Sequence, residues 1–387
     1  MRNLWAALKF IGRWLGPALV LLAAWLFLFP LGLLLDVWKL TALAGGLISA
    51  LAWFAGRKSE RVIGIRCVAA AAIIGLAMFA YGYWHGKRGY HTETVTFDNR
   101  GARLVGTLYL PDRPGKHPGI VWVHGGGPGT RMQFSPIAIH FAQAGYATVI
   151  FDKRGISDST GHYEPATIKP DNLDLLASDA SAALTLLAKR PEVRADMVGI
   201  VGASAGGWVT PKAAVLNGHA AFMLLLSGAT YSTHSHIRYE AFHLFGGKNP
   251  DSPLSQTSLS TGLKSFVRGD VPDGMSIDQA ADEAQNLRID VGFANYDPMG
   301  DLRKLNIPGL WLVGDKDWTI PSGPTRRNIT LLRKEGKPYA YRDIPGGWHV
   351  FAIGPKQLVL DTMDNWLARV TVEERKAASG APRPSRE

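Results

Sequence analysis

Five short hydrophobic runs, GIVWVHG, YATVIFD, MVGIVGAS, AAFMLLLSG and GLWLVGD, recur between residues 119 and 315, each with a helix candidate nearby. Short runs rich in Val, Ile and Leu and bounded by turn residues are what strands buried on both faces look like, and the helices are the crossovers a parallel sheet needs. The spacing predicts helices over 134–144, 173–189, 205–216, 322–335 and 356–371. Ahead of them, TETVTFDN and ARLVGTLYLP read as two strands of a hairpin turned at Asn99, Arg100 and Gly101. One α/β core is therefore expected from residue 92 to 374.

Residues 229–295 interrupt the alternation with polar, helix-like sequence and no strong strand. An insertion at this point sits over the strand ends, where open sheets bind ligands, and reads as a helical lid. The tail over 375–387, RKAASGAPRPSRE, has the composition of a disordered segment.

Residues 1–89 differ in kind. WLGPALVLLAAWLFLFPLGLLLDVW, 14–38, has no charge between Arg13 and Asp36 and is long enough to cross a hydrocarbon layer of roughly 30 Å as a helix. Two shorter apolar runs follow at 40–56 and 67–84, so the region is read as a membrane anchor of two or three spanning helices. A cleaved signal peptide fits poorly, because the first run is too long and two more follow it. Trp14, Trp38, Trp53 and Trp84 stand near the ends of these runs, as interfacial anchors do. Cys67, the single cysteine, excludes an intrachain disulfide framework.

The formal charge of +10 is concentrated in this region, which holds ten Lys/Arg against two Asp/Glu, while the rest of the chain holds 32 against 30. A basic excess around apolar runs speaks for a bilayer partner and against nucleic acid. With three spans, Arg2, Lys9 and Arg13 place the N-terminus in the cytoplasm. The catalytic domain of what is then an integral inner-membrane protein lies on the outer, periplasmic side; two spans would place it in the cytoplasm.

GIVGASAGGW, 199–208, carries the chemistry. Gly202, Ser204 and Gly206 form G-x-S-x-G between a strand-like MVGIVG and a helix-like AGGWVTPKAAVLNG, so Ser204 is a candidate nucleophile on a sharp strand-to-helix turn. A serine hydroxyl needs a base, and the base an orienting acid. Asp315 or Asp317 lies past the strand GLWLVG, and His349 lies in a glycine-bearing loop after the last predicted strand. His234, His236 and His243 fall in the lid, where they suit contacts to substrate or solvent better than the role of base. HGGGPGT, His124–Thr130, follows another strand and offers backbone N–H groups to a tetrahedral oxyanion, with Gly126 or Gly127 acting together with Ala205. It lacks the Lys-Ser/Thr ending of a nucleotide loop, and acyl transfer of this type calls for no metal or organic cofactor.

The GASAG elbow, the HGGGPG loop, FDKRGISDS at 151–159, VGDKD and GGWH, in that composition and order, resemble the α/β-hydrolase superfamily across roughly 94–372. The resemblance implies an eight-stranded, mostly parallel sheet with helices on both faces, Ser204 after the fifth strand, Asp317 after the seventh and His349 after the eighth. It favours Asp317 over Asp315, since the family's acid tends to lie three residues beyond the strand-end glycine, here Gly314. It also implies that Asp152–Gly155 structures the site. Serine at the elbow is unlike the haloalkane and epoxide hydrolases, which carry aspartate there. The expected activity is hydrolysis of a carboxylic ester or related acyl compound, small or lipid-like. An aminopeptidase or amidase is the alternative, since the loop is similar to the HGGPG loop of proline iminopeptidases with one more glycine; a non-catalytic membrane-anchored binding protein ranks below both.

Overall fold

A computed structural model of the chain describes residues 89–164, 170–244, 276, 278–279, 282, 295–351 and 356–378. The three apolar runs of the expected membrane anchor lie outside these residues. Among the described residues, no helix is long and apolar enough to cross a membrane. The chain divides into two compact units, Met1–His91 with Met132–His140, and Thr92–Arg131 with Phe141–Glu387. Every residue of the candidate site belongs to the second.

In chain order the elements are β1 (Tyr90–Asn99), β2 (Ala102–Pro111), β3 (His117–Val123), α1 (Ser135–Ala144), β4 (Ala147–Phe151), α2 (Pro170–Ala188), β5 (Val193–Ala203) and α3 (Gly206–Asn217). There follow β6 (Met223–Leu226), α4 (Thr233–Leu244), α5 (Met299–Lys304), β7 (Gly309–Gly314), α6 (Ser322–Lys334), β8 (Tyr339–Ile344), a 3-10 turn (His349–Phe351) and α7 (Lys356–Ala378). The eight strands form one sheet in the order β1, β2, β4, β3, β5, β6, β7, β8. β4 pairs antiparallel with β2, and every pairing from β4 across to β8 is parallel. The β1–β2 connection is the tight turn expected at Asn99–Gly101, with Arg100 and Gly101 both at positive φ, 43° and 76°.

Both faces of the central strands are dry, which is why the runs are continuous in sequence and do not alternate with polar residues. Val121, Val123, Ile200, Met223, Leu225 and Trp311 join one core with residues of α2, α3 and α6. Their neighbours Ile120, Trp122, Val201, Leu224, Leu226 and Leu312 are equally buried. Successive side chains of a strand point to opposite faces, so a second layer must cover these. Trp366 of α7 packs edge-on against Phe222 at 6.1 Å, just before β6.

One boundary differs from the sequence reading. α7 runs on to Ala378, into the segment read as tail, because the residues before Ser379 and Gly380 are good helix formers. The segment expected as a lid, 229–295, contains the helix α4, while most of 245–294 lies outside the described residues. Two of its described side chains reach α6: Asp278 accepts from Gly323 N at 2.9 Å, and Asp282 pairs with Arg327 at 2.6 Å.

Candidate active site

Ser204 stands between β5 and α3 with φ of 53°. A left-handed non-glycine residue costs about 1–3 kcal/mol, so the surroundings must hold it there. They do so with two main-chain bonds: Ser204 N donates to Leu226 O of the neighbouring strand at 2.9 Å, and Gly207 N donates to Ser204 O at 2.7 Å. The turn is sharp enough that a Cβ at Gly202 would overlap Thr210 Oγ1 and lie 2.8 Å from Gly206 O. Glycine two residues before the serine is therefore a steric requirement.

The acid candidate follows β7. Asp317 N donates to Gly314 O at 3.1 Å, a tight turn that swings the carboxylate inward, where it is 1% exposed. Its Oδ1 accepts from Ile320 N at 2.9 Å, and both oxygens lie 3.0 Å from His349 Nδ1. Asp315 goes elsewhere: it is exposed, and its Oδ1 accepts from Gly346 N at 2.7 Å. Of the two carboxylates that sequence offered, only Asp317 meets the histidine.

His349 is carried by the loop after β8, which is tied to both neighbouring strand ends. Lys316 N donates to Gly347 O at 3.0 Å, and Val350 N donates to Ser227 Oγ at 2.9 Å. Ser227 directly follows β6, is fully buried and has φ of 50°, while Val350 and Phe351 are also left-handed. So anchored, His349 Nε2 lies 2.9 Å from Ser204 Oγ. The serine, histidine and aspartate come from the ends of three strands of one parallel sheet. In their mutual geometry the imidazole can take the serine proton while the buried carboxylate fixes its orientation.

The glycine-rich loop after β3 closes over the serine. The Cβ position of Gly125 is 3.1 Å from Ser204 Cβ, and that of Gly126 is 3.9 Å from Ala205 Cβ. Gly127 takes φ of 75°. Gly125 and Gly126 are thus placed against the elbow, beside Ala205 at the start of α3. His124 packs edge-on to Phe151, with Nε2 2.8 Å from Phe151 O. Burial, reinforced by the charge of Lys153, pushes its imidazole down to about 3.

The segment after β4 braces this loop. Asp152 accepts from Arg131 N at 2.6 Å and from the Arg131 guanidinium. Arg154 makes a two-pronged pair with Asp179, at 2.7 and 2.6 Å, and Asn99 Nδ2 adds a third bond to that carboxylate at 2.7 Å. Between them Lys153 donates its ammonium to Gly125 O and to Gly127 O, the latter at 2.9 Å.

Two groups near the site, Ser227 and Glu240, were not legible in the sequence, and Lys153 was read only as part of the Asp152–Gly155 segment. His236, read as a lid residue for substrate or solvent, is instead buried against Trp208 at 5.0 Å and Tyr231 at 6.3 Å. It pairs with the partly exposed Glu240 one turn along α4 at 3.3 Å. Burial works to raise the Glu240 carboxyl, but the His236 bond and the charges of His236 and His349 outweigh it and hold it below its usual range. Side chains of His243 and Leu244 lie outside the described residues.

Residues 115–273 match the model of a hydrolase family described as serine aminopeptidase, S33. That span includes Ser204 and the glycine-rich loop but ends before Asp317 and His349. An uncharacterized peptidase of Bacillus subtilis, YtmA, is 25% identical over 198 residues, covering 48% of this chain and 74% of that protein. Among solved structures, the Pyrobaculum calidifontis esterase aligns with a TM-score of 0.51 at 18% identity, over 73% of this chain and 86% of its own. The Pyrococcus furiosus esterase aligns with a TM-score of 0.50 at 15% identity, over 72% of this chain and 91% of its own. At such identities the likeness speaks for the fold alone, and the strand order and crossover elbow speak for the same fold independently. The chain has the α/β-hydrolase fold.

Proposed function

We propose that the protein is a serine hydrolase that cleaves a carboxylic ester or related acyl substrate through an acyl-enzyme. The observation that carries the reading is the chain of contacts from Ser204 Oγ to His349 Nε2 at 2.9 Å and from His349 Nδ1 to buried Asp317 at 3.0 Å. Ser204 attacks the carbonyl carbon while His349 takes its proton. Backbone N–H groups of Gly126 or Gly127 and of Ala205 stabilise the resulting oxyanion. His349 then protonates the leaving group, and a water activated by the same imidazole releases the acid. The apolar runs at the N-terminus would hold this chemistry at a bilayer and give it access to lipid-like acyl compounds. Steady-state hydrolysis of p-nitrophenyl esters of graded chain length tests the proposal. Turnover should exceed that of Ser204→Ala by at least about three orders of magnitude; equal turnover by the variant would sink the mechanism.

One feature favours a second reading, aminopeptidase or amidase. Glu240 offers a carboxylate on the lid helix within electrostatic reach of His349, as a site for a substrate ammonium would require. Cleavage of free-amino peptide amides faster than of esters, with a raised KM in Glu240→Gln, would make that reading the better one. Amide turnover below ester turnover and indifferent to Glu240→Gln would remove it.

A further inference from the structure

The Lys153 ammonium is buried, yet among the described residues no carboxylate pairs with it. The adjacent Asp152 is taken by Arg131, and Asp179 is taken by Arg154. A buried cation without a counter-charge is costly, so its compensation shows what it is for. That compensation comes from two carbonyls of the glycine-rich loop, Gly125 O and Gly127 O, and from the face of Tyr163 at 5.3 Å. We propose that Lys153 is a positioning residue for the oxyanion hole: it fixes and polarises the peptide group that presents the Gly126 N–H to the reacting carbonyl.

The inference rests on the reading of this loop as the oxyanion hole, and it follows from peptide geometry. In a planar trans peptide the C=O and the next N–H point in opposite directions. Holding Gly125 O against Lys153 therefore turns the Gly126 N–H to the far side. Gly125 lies against Ser204 and Gly126 against Ala205, so this peptide group stands at the elbow. An ammonium bonded to the carbonyl also draws electron density from the amide and makes its N–H a stronger donor. The second bond, to Gly127 O, pins the following unit, whose nitrogen belongs to Pro128 and has no proton to offer. Gly125, Gly126 and Gly127 have no side chains of their own to hold these peptide planes in one orientation.

Charge on Lys153 is the variable that separates this role from simple packing. Burial pushes its ammonium down to about 8, so the charged form is lost as pH rises through that value. The groups facing it do not supply the same transition: His124 is held neutral, burial raises the Tyr163 phenol, and Asp152 and Arg154 are engaged with Arg131 and Asp179.

The test is p-nitrophenyl ester hydrolysis by the full-length protein and by Lys153→Met and Lys153→Arg, measured from pH 6 to about 10 with Tm recorded for each. Lys153→Met should lower kcat about 10- to 100-fold with KM within about twofold. Lys153→Arg should recover most of that loss at neutral pH. Wild-type kcat should fall as pH rises through about 8, and that of Lys153→Arg should not. An unchanged kcat in a folded Lys153→Met, or the same alkaline limb in wild type and Lys153→Arg, overturns the proposal. If neither variant folds, a wild-type kcat that stays flat to pH 10 overturns it and a fall through about 8 supports it. Failure of the parent reading looks different: wild-type protein would then show no turnover dependent on Ser204.

Discussion

Ser227 Oγ, at the buried end of β6, accepts a hydrogen bond of 2.9 Å from Val350 N, the residue after His349. His349 is thereby fixed to the strand next to the one that carries Ser204, in a loop whose Val350 and Phe351 are both left-handed. A loop in that conformation stays put only while its neighbours hold it.

Ser227→Ala should therefore lower kcat about tenfold with little change in KM, because it loosens the imidazole without touching substrate. The lost bond leaves a partly buried N–H without its partner and should cost about 1 kcal/mol of stability. Steady-state kinetics alongside urea unfolding checks both parts. An unchanged kcat would mean that the loop is held without this bond.

The two aspartates after Gly314 should separate cleanly. Asp317→Asn keeps the shape but loses the charge that orients His349, and should reduce kcat by about four orders of magnitude at neutral pH. Asp315→Asn alters an exposed bond to Gly346 N and should stay within about threefold of wild type. Single-turnover ester hydrolysis by each variant distinguishes them. Comparable losses in both would reassign the acid.

His124 gives a pH dependence of stability with a definite sign. Its folded value of about 3 lies below the ordinary value of 6.5, so the unfolded chain takes up the proton first as the solution is acidified. The contribution is fully present above about 6.5 and is lost progressively as pH falls toward 3. Its loss should amount to roughly 3–5 kcal/mol. Urea midpoints measured across that window should fall with pH in wild type and fall less steeply in His124→Gln. Parallel slopes in the two proteins would show that another group carries the acid sensitivity.

Much of this architecture was readable because it is written in apolar periodicity and glycine. The runs around Ile120, Val149, Ile200, Leu224 and Leu312 are buried on both faces, and such strands need no alternation to be recognised. The elbow was readable because steric demands at Gly202 leave a mark in the sequence. Asp315 and Asp317 were a harder case, since both follow the same strand. They part company only through the turn in which Asp317 N bonds Gly314 O. Asp152–Gly155 was readable as a segment that structures the site, but the partners of Lys153 within it were not, because they are main-chain carbonyls, which any residue can provide. His236 was misjudged because lid polarity suggested solvent, whereas Trp208 and Tyr231 enclose it.

Covalent labelling of the full-length protein with a fluorophosphonate, followed by mapping of the adduct by mass spectrometry, tests the central claim most directly. One equivalent should attach at Ser204, with labelling absent in Ser204→Ala and slowed by at least about a thousandfold in His349→Ala. A folded wild-type protein that hydrolyses esters but carries its adduct elsewhere, or one labelled equally fast without His349, would contradict it.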